Sequence, residues 1–153
     1  AKSVSEEDYA KILAEAESFG RMKKKSSKLR KALVSGKPVV IDFAADWCPM
    51  CLTMAPTMEA LHDRYRGDIE FVTMDLSYAR NNQPRSPEID FWAQQFGVGG
   101  IPHVAFVDAD RRVKTALVGG MPPEVLQAEV ESLSKGEAEL PFTMYDAFEG
   151  RDH

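Results

Sequence analysis

Cys48 and Cys51 are the two cysteines of the chain, and two residues separate them in the stretch DFAADWCPMC, 42–51. Such a pair serves one of three chemistries: a metal clip, a structural disulfide or a redox couple. A structural zinc site needs four ligands. The sequence holds no second CxxC and no HxxxH, and His62, His103 and His153 are scattered, so no metal is expected. A bond between residues 48 and 51 closes a very small loop and removes little chain entropy. Stapling the fold is therefore a poor use of it, and dithiol–disulfide exchange is the better reading.

The flanking residues fit exchange. Pro49 suits the first position of a helix, where its missing N–H would have no partner anyway. Cys48 then ends a strand-to-helix loop, and Cys51 lies in the first helical turn. A helix N-terminus offers unpaired N–H groups and a partial positive charge, which favour a thiolate. Cys48 is expected to be the accessible attacking sulfur and Cys51 the more buried resolving thiol. The resolving step needs Cys51 to lose its proton. Asp42 stands on an otherwise apolar strand just before the pair. A carboxylate buried there would have a raised pKa and could accept that proton. Its plainer role is a strand-end carboxylate held by a backbone donor. Trp47 either forms a docking surface beside the sulfurs or simply packs.

The stretch GGIPH, 99–103, is the second informative one. Two glycines loosen the backbone ahead of Pro102. A cis Ile101–Pro102 bond would project this loop toward the cysteines and leave the Ile101 backbone free to pair with an extended substrate. The residues alone do not decide the isomer. Trp47, Pro49, Gly100, Ile101 and Pro102 are thus the candidate substrate contacts. His103 either tunes the site or is an ordinary strand-start histidine. Pro56 falls inside the helix that begins at the cysteines, where it removes a hydrogen bond and either kinks the helix or shapes its packing.

The elements that must position these groups follow from periodicity. Residues 38–44, apolar on both faces, read as a buried central strand. Residues 49–66 read as a helix with Cys51, Ala55, Met58, Leu61 and Tyr65 inward. Strands follow at 69–75, 103–108 and 113–119, with helices at 88–98 and 122–133. The polar stretch 76–87 reads as a loop, long enough to serve a partner. Two further helices precede the first strand. One follows Ser5, with Tyr9, Ile12, Leu13, Ala16 and Phe19 along one side. The other carries Leu29, Ala32 and Leu33 and stops at Gly36 and Pro38. Its basic cluster, Arg21, Lys23, Lys24, Lys25, Lys28, Arg30 and Lys31, is either a solvated face or a contact for an acidic partner or lipid headgroups. The first connections are long and helical, as parallel strands require, and the last is a tight turn between antiparallel strands. The fold class is α/β, a mixed sheet with helices on both faces.

The chain has 153 residues, enough for one domain with a core, and a net charge of −5, which argues against nucleic acid as the main partner. No run of about 18 apolar residues exists to span a membrane. No signal peptide is visible, and a sequence that starts at Ala1 leaves open an anchor outside it.

VVIDFAADWCPMC, Pro56 five residues after Cys51, GGIPHVAFVD and Gly119–Gly120 together resemble thioredoxin. ALVSGKPVVIDFAADWCPMC, IEFVTMD, FGVGGIPHVAFVD and ESLSKGEAELPF are most similar to the membrane-anchored thioredoxin-like proteins of thylakoids and cyanobacteria. The resemblance implies a thioredoxin-like domain over 37–134, an N-terminal helical extension over 1–36 and a C-terminal tail over 135–153. It implies a cis Pro102 opposite the sulfurs and Asp42 as the carboxylate beneath Cys51. It implies a protein-disulfide reductase that needs no cofactor and acts as a monomer on protein substrates. Electrons would come from another thioredoxin-like protein or a membrane thiol carrier. The setting would be a thylakoid membrane tether facing the lumen, with a cytoplasmic or periplasmic location as the alternative. Two departures stand out. Pro49–Met50 is not the family's usual dipeptide, and Thr73 takes the place of the buried lysine that partners the aspartate. A thiol oxidase or disulfide isomerase on the same fold, and a redox adaptor without catalysis, are the competing functions.

Overall fold

The computed structural model describes residues 28–77 and 87–142. The helix expected after Ser5, the basic residues Arg21 to Lys25 and Tyr145 lie outside them. The described elements are α1 (Lys28–Leu33), β1 (Val39–Ala44), α2 (Pro49–Arg64), β2 (Glu70–Asp75), α3 (Pro87–Gln95), β3 (His103–Val107), β4 (Val113–Val118) and α4 (Pro123–Ser134).

The four strands form one sheet in the order β2-β1-β3-β4. β1 is central, as its two apolar faces require. Its odd positions Val39, Ile41 and Phe43 join Leu29, Leu33, Trp92 and Phe96 in a core under α1 and α3. Val40, on the opposite face, joins Met54, Met58, Leu61, Leu126 and Val130 under α2 and α4. Strand side chains alternate between faces, so Asp42 shares the Val40 face and sits below α2. Gly36 ends α1 with a φ of 82°, a left-handed stop that glycine makes without steric cost. The irregular segment after α4 folds back, and its Leu140 is buried in the second core with Phe142 packed against it.

One expectation is corrected. β1 and β2 are parallel, but β3 runs antiparallel to β1, with Phe43 opposite His103 and Val39 opposite Val107. The connection containing α3 leaves β2 at Asp75 and returns to the sheet at the same end. A long helical link permits a parallel crossover without enforcing one. The consequence is functional. The C-terminal ends of β1 and β2 and the N-terminal end of β3 share one edge of the sheet, which brings residues 45–48, 75–77 and 101–102 together.

Candidate active site

Cys48 is the N-cap of α2. Its backbone is extended (φ −99°, ψ 106°), and its Sγ accepts the Cys51 N–H at 3.2 Å. Pro49 opens the helix, and the Cys48 carbonyl accepts from Leu52 N at 3.1 Å. The cap residue thus spends its side chain on one of the N–H groups that a helix start leaves unpaired. Both sulfurs are free thiols.

The loop before the pair is pinned from β2. Asp46 N donates to Ser77 Oγ at 2.9 Å, Ser77 N donates to Asp75 Oδ1 at 2.9 Å, and the Ser77 hydroxyl also donates to Asp75 Oδ1. Leu76 N donates to Ala44 O at 2.8 Å. Ser77 and Asp75 escaped the sequence reading, although Asp-x-Ser at a strand end is a local turn pattern.

The Ile101–Pro102 bond is cis, as the resemblance implies. The Ile101 carbonyl faces Cys48 Sγ at 3.9 Å. Pro102 O in turn accepts from Gly119 N at 2.8 Å, and Gly119 takes a φ of 95°. Gly120 lies under Met50. A Cβ there would stand 2.0 Å from the Met50 methyl carbon. The dipeptide between the cysteines therefore rests on the turn that follows β4, a contact no local sequence pattern announces.

The accessibility expected of Cys48 is corrected. Cys48 is 5% exposed and Cys51 8%, so both are buried and Cys48 is not the more open of the two. Its Sγ turns inward to meet the Cys51 N–H and the Ile101 carbonyl. The two sulfurs form a small cluster with Ala45, against which Ala44, Leu76 and Ile101 pack, separate from both sheet cores. An exposed rim surrounds them: Trp47 at 52%, Met50 at 48% and Leu52 at 60%, with Pro49 exposed as well. Trp47 thus stands outward on this rim, and Gly100 and Ile101 are half-buried beside it.

Asp42 lies beneath, on the face below α2. Its Oδ1 is buried and has no hydrogen-bond partner among the described residues. Burial pushes its pKa up from 3.8 to about 6. The backbone-donor reading is not supported for that oxygen. Asp42 and Cys51 line the same cavity, of about 320 Å³. The Cys51 thiol is pushed up to about 12, first by burial, then by its hydrogen bond to Cys48 and by the charges of Cys48 and Asp42, with a backbone bond to Ala45 offsetting part.

His103 is buried, edge-on to Phe43 with ring centroids 5.6 Å apart, on the core face under α3 and not among the sulfurs. Pro56 is exposed, and α2 runs continuously through it. Among the described residues, no group of three or more His, Cys, Asp or Glu could hold a metal ion.

Comparison with known proteins agrees with this geometry. The family model described as Thioredoxin matches residues 21–132. "Thioredoxin-like protein HCF164, chloroplastic" of Arabidopsis thaliana is 34% identical over 111 residues, which are 72% of this chain and 40% of that protein. "Thiol:disulfide interchange protein TxlA homolog" of Synechocystis sp. is 30% identical, over 69% of this chain and 54% of that protein. The chain therefore spans about half the length of these relatives, or less. Among solved structures, a mutant thioredoxin from Halobacterium salinarum NRC-1 superposes with a TM-score of 0.56 at 25% identity, covering 69% of this chain and 82% of that one. With the family model matching residues 21–132 and a relative 34% identical over 72% of the chain, the chain belongs to the thioredoxin family.

Proposed function

We propose that the chain is a thiol–disulfide oxidoreductase that reduces disulfides of protein substrates through Cys48 and Cys51. The observation that carries this reading is the placement of Cys48 Sγ. It receives the Cys51 N–H at a helix N-terminus and lies 3.9 Å from the Ile101 carbonyl beside cis-Pro102. In the first step the Cys48 thiolate attacks a substrate disulfide. A Cys48–substrate bond forms, and the other substrate sulfur leaves as a thiolate and takes a proton from water. In the second step Cys51 passes its proton to Asp42 and attacks Cys48 Sγ. The intramolecular disulfide forms, and the second substrate sulfur leaves. The substrate gains two electrons and the cysteine pair loses two. Burial is what equips Asp42 as acceptor, because it raises the carboxylate's affinity for a proton. Trp47, Pro49, Gly100 and Ile101, backed by the buried Pro102, form the surface on which an extended substrate segment lies.

The similarity to a chloroplastic thioredoxin-like protein and to a cyanobacterial interchange protein supports a further step. The redox unit, residues 37–134, would work tethered at a thylakoid-type membrane, fed by another thioredoxin-like protein or a membrane thiol carrier. No described helix is long and apolar enough to cross a membrane.

A trapping experiment tests the reading. Cys51→Ser incubated with a disulfide-containing protein should accumulate a covalent adduct on Cys48, released by added dithiol. Cys48→Ser should accumulate none. No adduct with the first variant, or equal adduct with both, would refute the assignment. Titration of the couple then sets direction: a potential near about −270 mV fits a reductase and one near about −120 mV an oxidant.

A further inference from the structure

A third sulfur stands at the site, in the dipeptide between the cysteines. Of the chain's seven methionines, Met22 and Met144 lie outside the described residues. Met54, Met58, Met74 and Met121 are buried, none more than 9% exposed. Met50 is 48% exposed, and its neighbours Cys48 and Cys51 are both buried. Among the described residues, the sulfur-bearing side chain open to a small oxidant is therefore a thioether and not a thiol.

Met50 is also tied to the substrate side of the site. Its methyl carbon fills the space that a Cβ at Gly120 would need, 2.0 Å from that position, and its Sδ lies 3.4 Å from it. Gly119, the preceding residue, donates its N–H to Pro102 O at 2.8 Å. Pro102 follows Ile101, whose carbonyl faces Cys48 Sγ. A chain of contacts thus runs from the thioether through the turn after β4 to the cis-proline loop. On its outer side Met50 shares an apolar rim with the exposed Trp47 and Leu52.

We propose that Met50 is a modification site: a hydroperoxide oxidises its thioether to the sulfoxide, and the modified rim docks protein substrates less tightly. In that step an S–O bond forms at Sδ and the O–O bond of the hydroperoxide breaks. The sulfur gives up two electrons, the proton on the transferred oxygen moves to the departing one, and water or an alcohol leaves. The sulfoxide is polar where the thioether was apolar. An apolar substrate side chain seated on the rim strips water from the new oxygen and offers it no hydrogen bond, which costs affinity. The proposal rests on the reductase reading of the same site and adds a control over it. A methionine sulfoxide reductase reverses the change, which separates it from over-oxidation of a cysteine to the sulfonic acid.

The whole protein tests it. Its disulfide form, in which both cysteines are protected, is treated with hydrogen peroxide, reduced with dithiol and assayed on a disulfide-containing protein. Sequencing by mass spectrometry should find an added oxygen at Met50 well before Met54, Met58, Met74 or Met121. KM should rise about fivefold, and kcat should change less. Methionine sulfoxide reductase should return KM to its starting value. In Met50→Leu, which keeps Met22 and Met144, the same treatment should leave KM at that variant's own untreated value. Oxidation of Met50 no faster than that of the buried methionines, an unchanged KM once Met50 carries oxygen, or an equal rise in KM in Met50→Leu would each overturn the proposal and leave the reductase reading standing. If the untreated protein reduces the substrate no faster than Cys48→Ser does, the reductase reading falls and this proposal with it.

Discussion

Asp42 on β1 stands in register with Thr73 on β2, and the two residues line the same two cavities. Family resemblance places a lysine where Thr73 stands. The threonine offers no charge to the buried carboxylate and leaves open space beside it. Desolvation is accordingly the cause that raises Asp42 to about 6.

That shift makes Asp42 a liability to the fold at neutral pH. The native state binds the Asp42 proton more tightly than the unfolded chain does. Stability is therefore greatest below about 3.8 and is lost as pH rises through about 6. The full cost above that range is about 3 kcal/mol. Asp42→Asn should be more stable than the parent by up to that amount at pH 8, and no more stable at pH 3.5 (about the lower bound). Urea denaturation at the two values measures it. The same variant should slow the release of substrate from Cys48, because Cys51 loses its proton acceptor.

Thr73→Lys should undo the same strain by a different route. An ammonium beside a carboxylate favours its charged form. Asp42 should then titrate below about 6, toward its ordinary value of 3.8. Stability at pH 8 should rise by about 1 kcal/mol or more. Carboxyl-carbon NMR titration reads the midpoint directly. An unchanged midpoint would mean that the side chain points into solvent and does not enter the cavities.

Much of this site is written locally. The CxxC pair, Pro49 and the apolar strand before them specify a helix start over the end of a central strand, and Asp42 stands out because its neighbours Ile41 and Phe43 are apolar. What escaped depends on distant partners. Cys48 is buried in a cluster that Leu76 and Ile101 pack against, and its Sγ faces the Ile101 carbonyl, 53 residues away in the chain. The direction of β3 depends on which end of the sheet a long connection rejoins, and length alone does not say. Pro87, at the end of the stretch expected to be loop, opens α3, where a proline is tolerated in the first turn. The segment 78–86 lies outside the described residues.

The contact between Met50 and Gly120 predicts a coupling between the CxxC dipeptide and the turn after β4. Gly120→Ala would drive a methyl group into the Met50 side chain. Met50 is flexible and 48% exposed, so it can swing away. The cost in stability should be small, about 1 kcal/mol or less. The displaced thioether would sit across the substrate surface, and KM for a protein substrate should rise more than kcat falls. In a Met50→Ala background the Gly120→Ala change should cost nothing further. A double-mutant cycle showing independent effects would contradict the contact.

Glu129 gives the last prediction, and it concerns the chain after α4. Positions 126, 129, 130 and 133 form one stripe of that helix, and Glu129 is fully buried on it among Leu126, Val130 and Leu133. The sequence reading did not single out Glu129, and the returning tail, with Leu140 and Phe142 packed against the same core, accounts for its burial. Phe142 N donates to Glu129 Oε1, while Oε2 has no partner among the described residues. Burial raises the carboxyl to about 7, against a smaller opposing effect of the Phe142 bond. The sign is that of Asp42: stability is full below about 4.5 and lost as pH rises through about 7. Glu129→Gln keeps an acceptor for Phe142 and removes the charge. It should stabilise the fold by up to about 3 kcal/mol at pH 8.5 and by nothing at pH 4. Glu129→Ala removes the acceptor too, so Phe142 N loses its bond and amide exchange there should quicken at every pH. If the glutamine variant also loses protection at Phe142, the tail is held by the charge and not by the hydrogen bond.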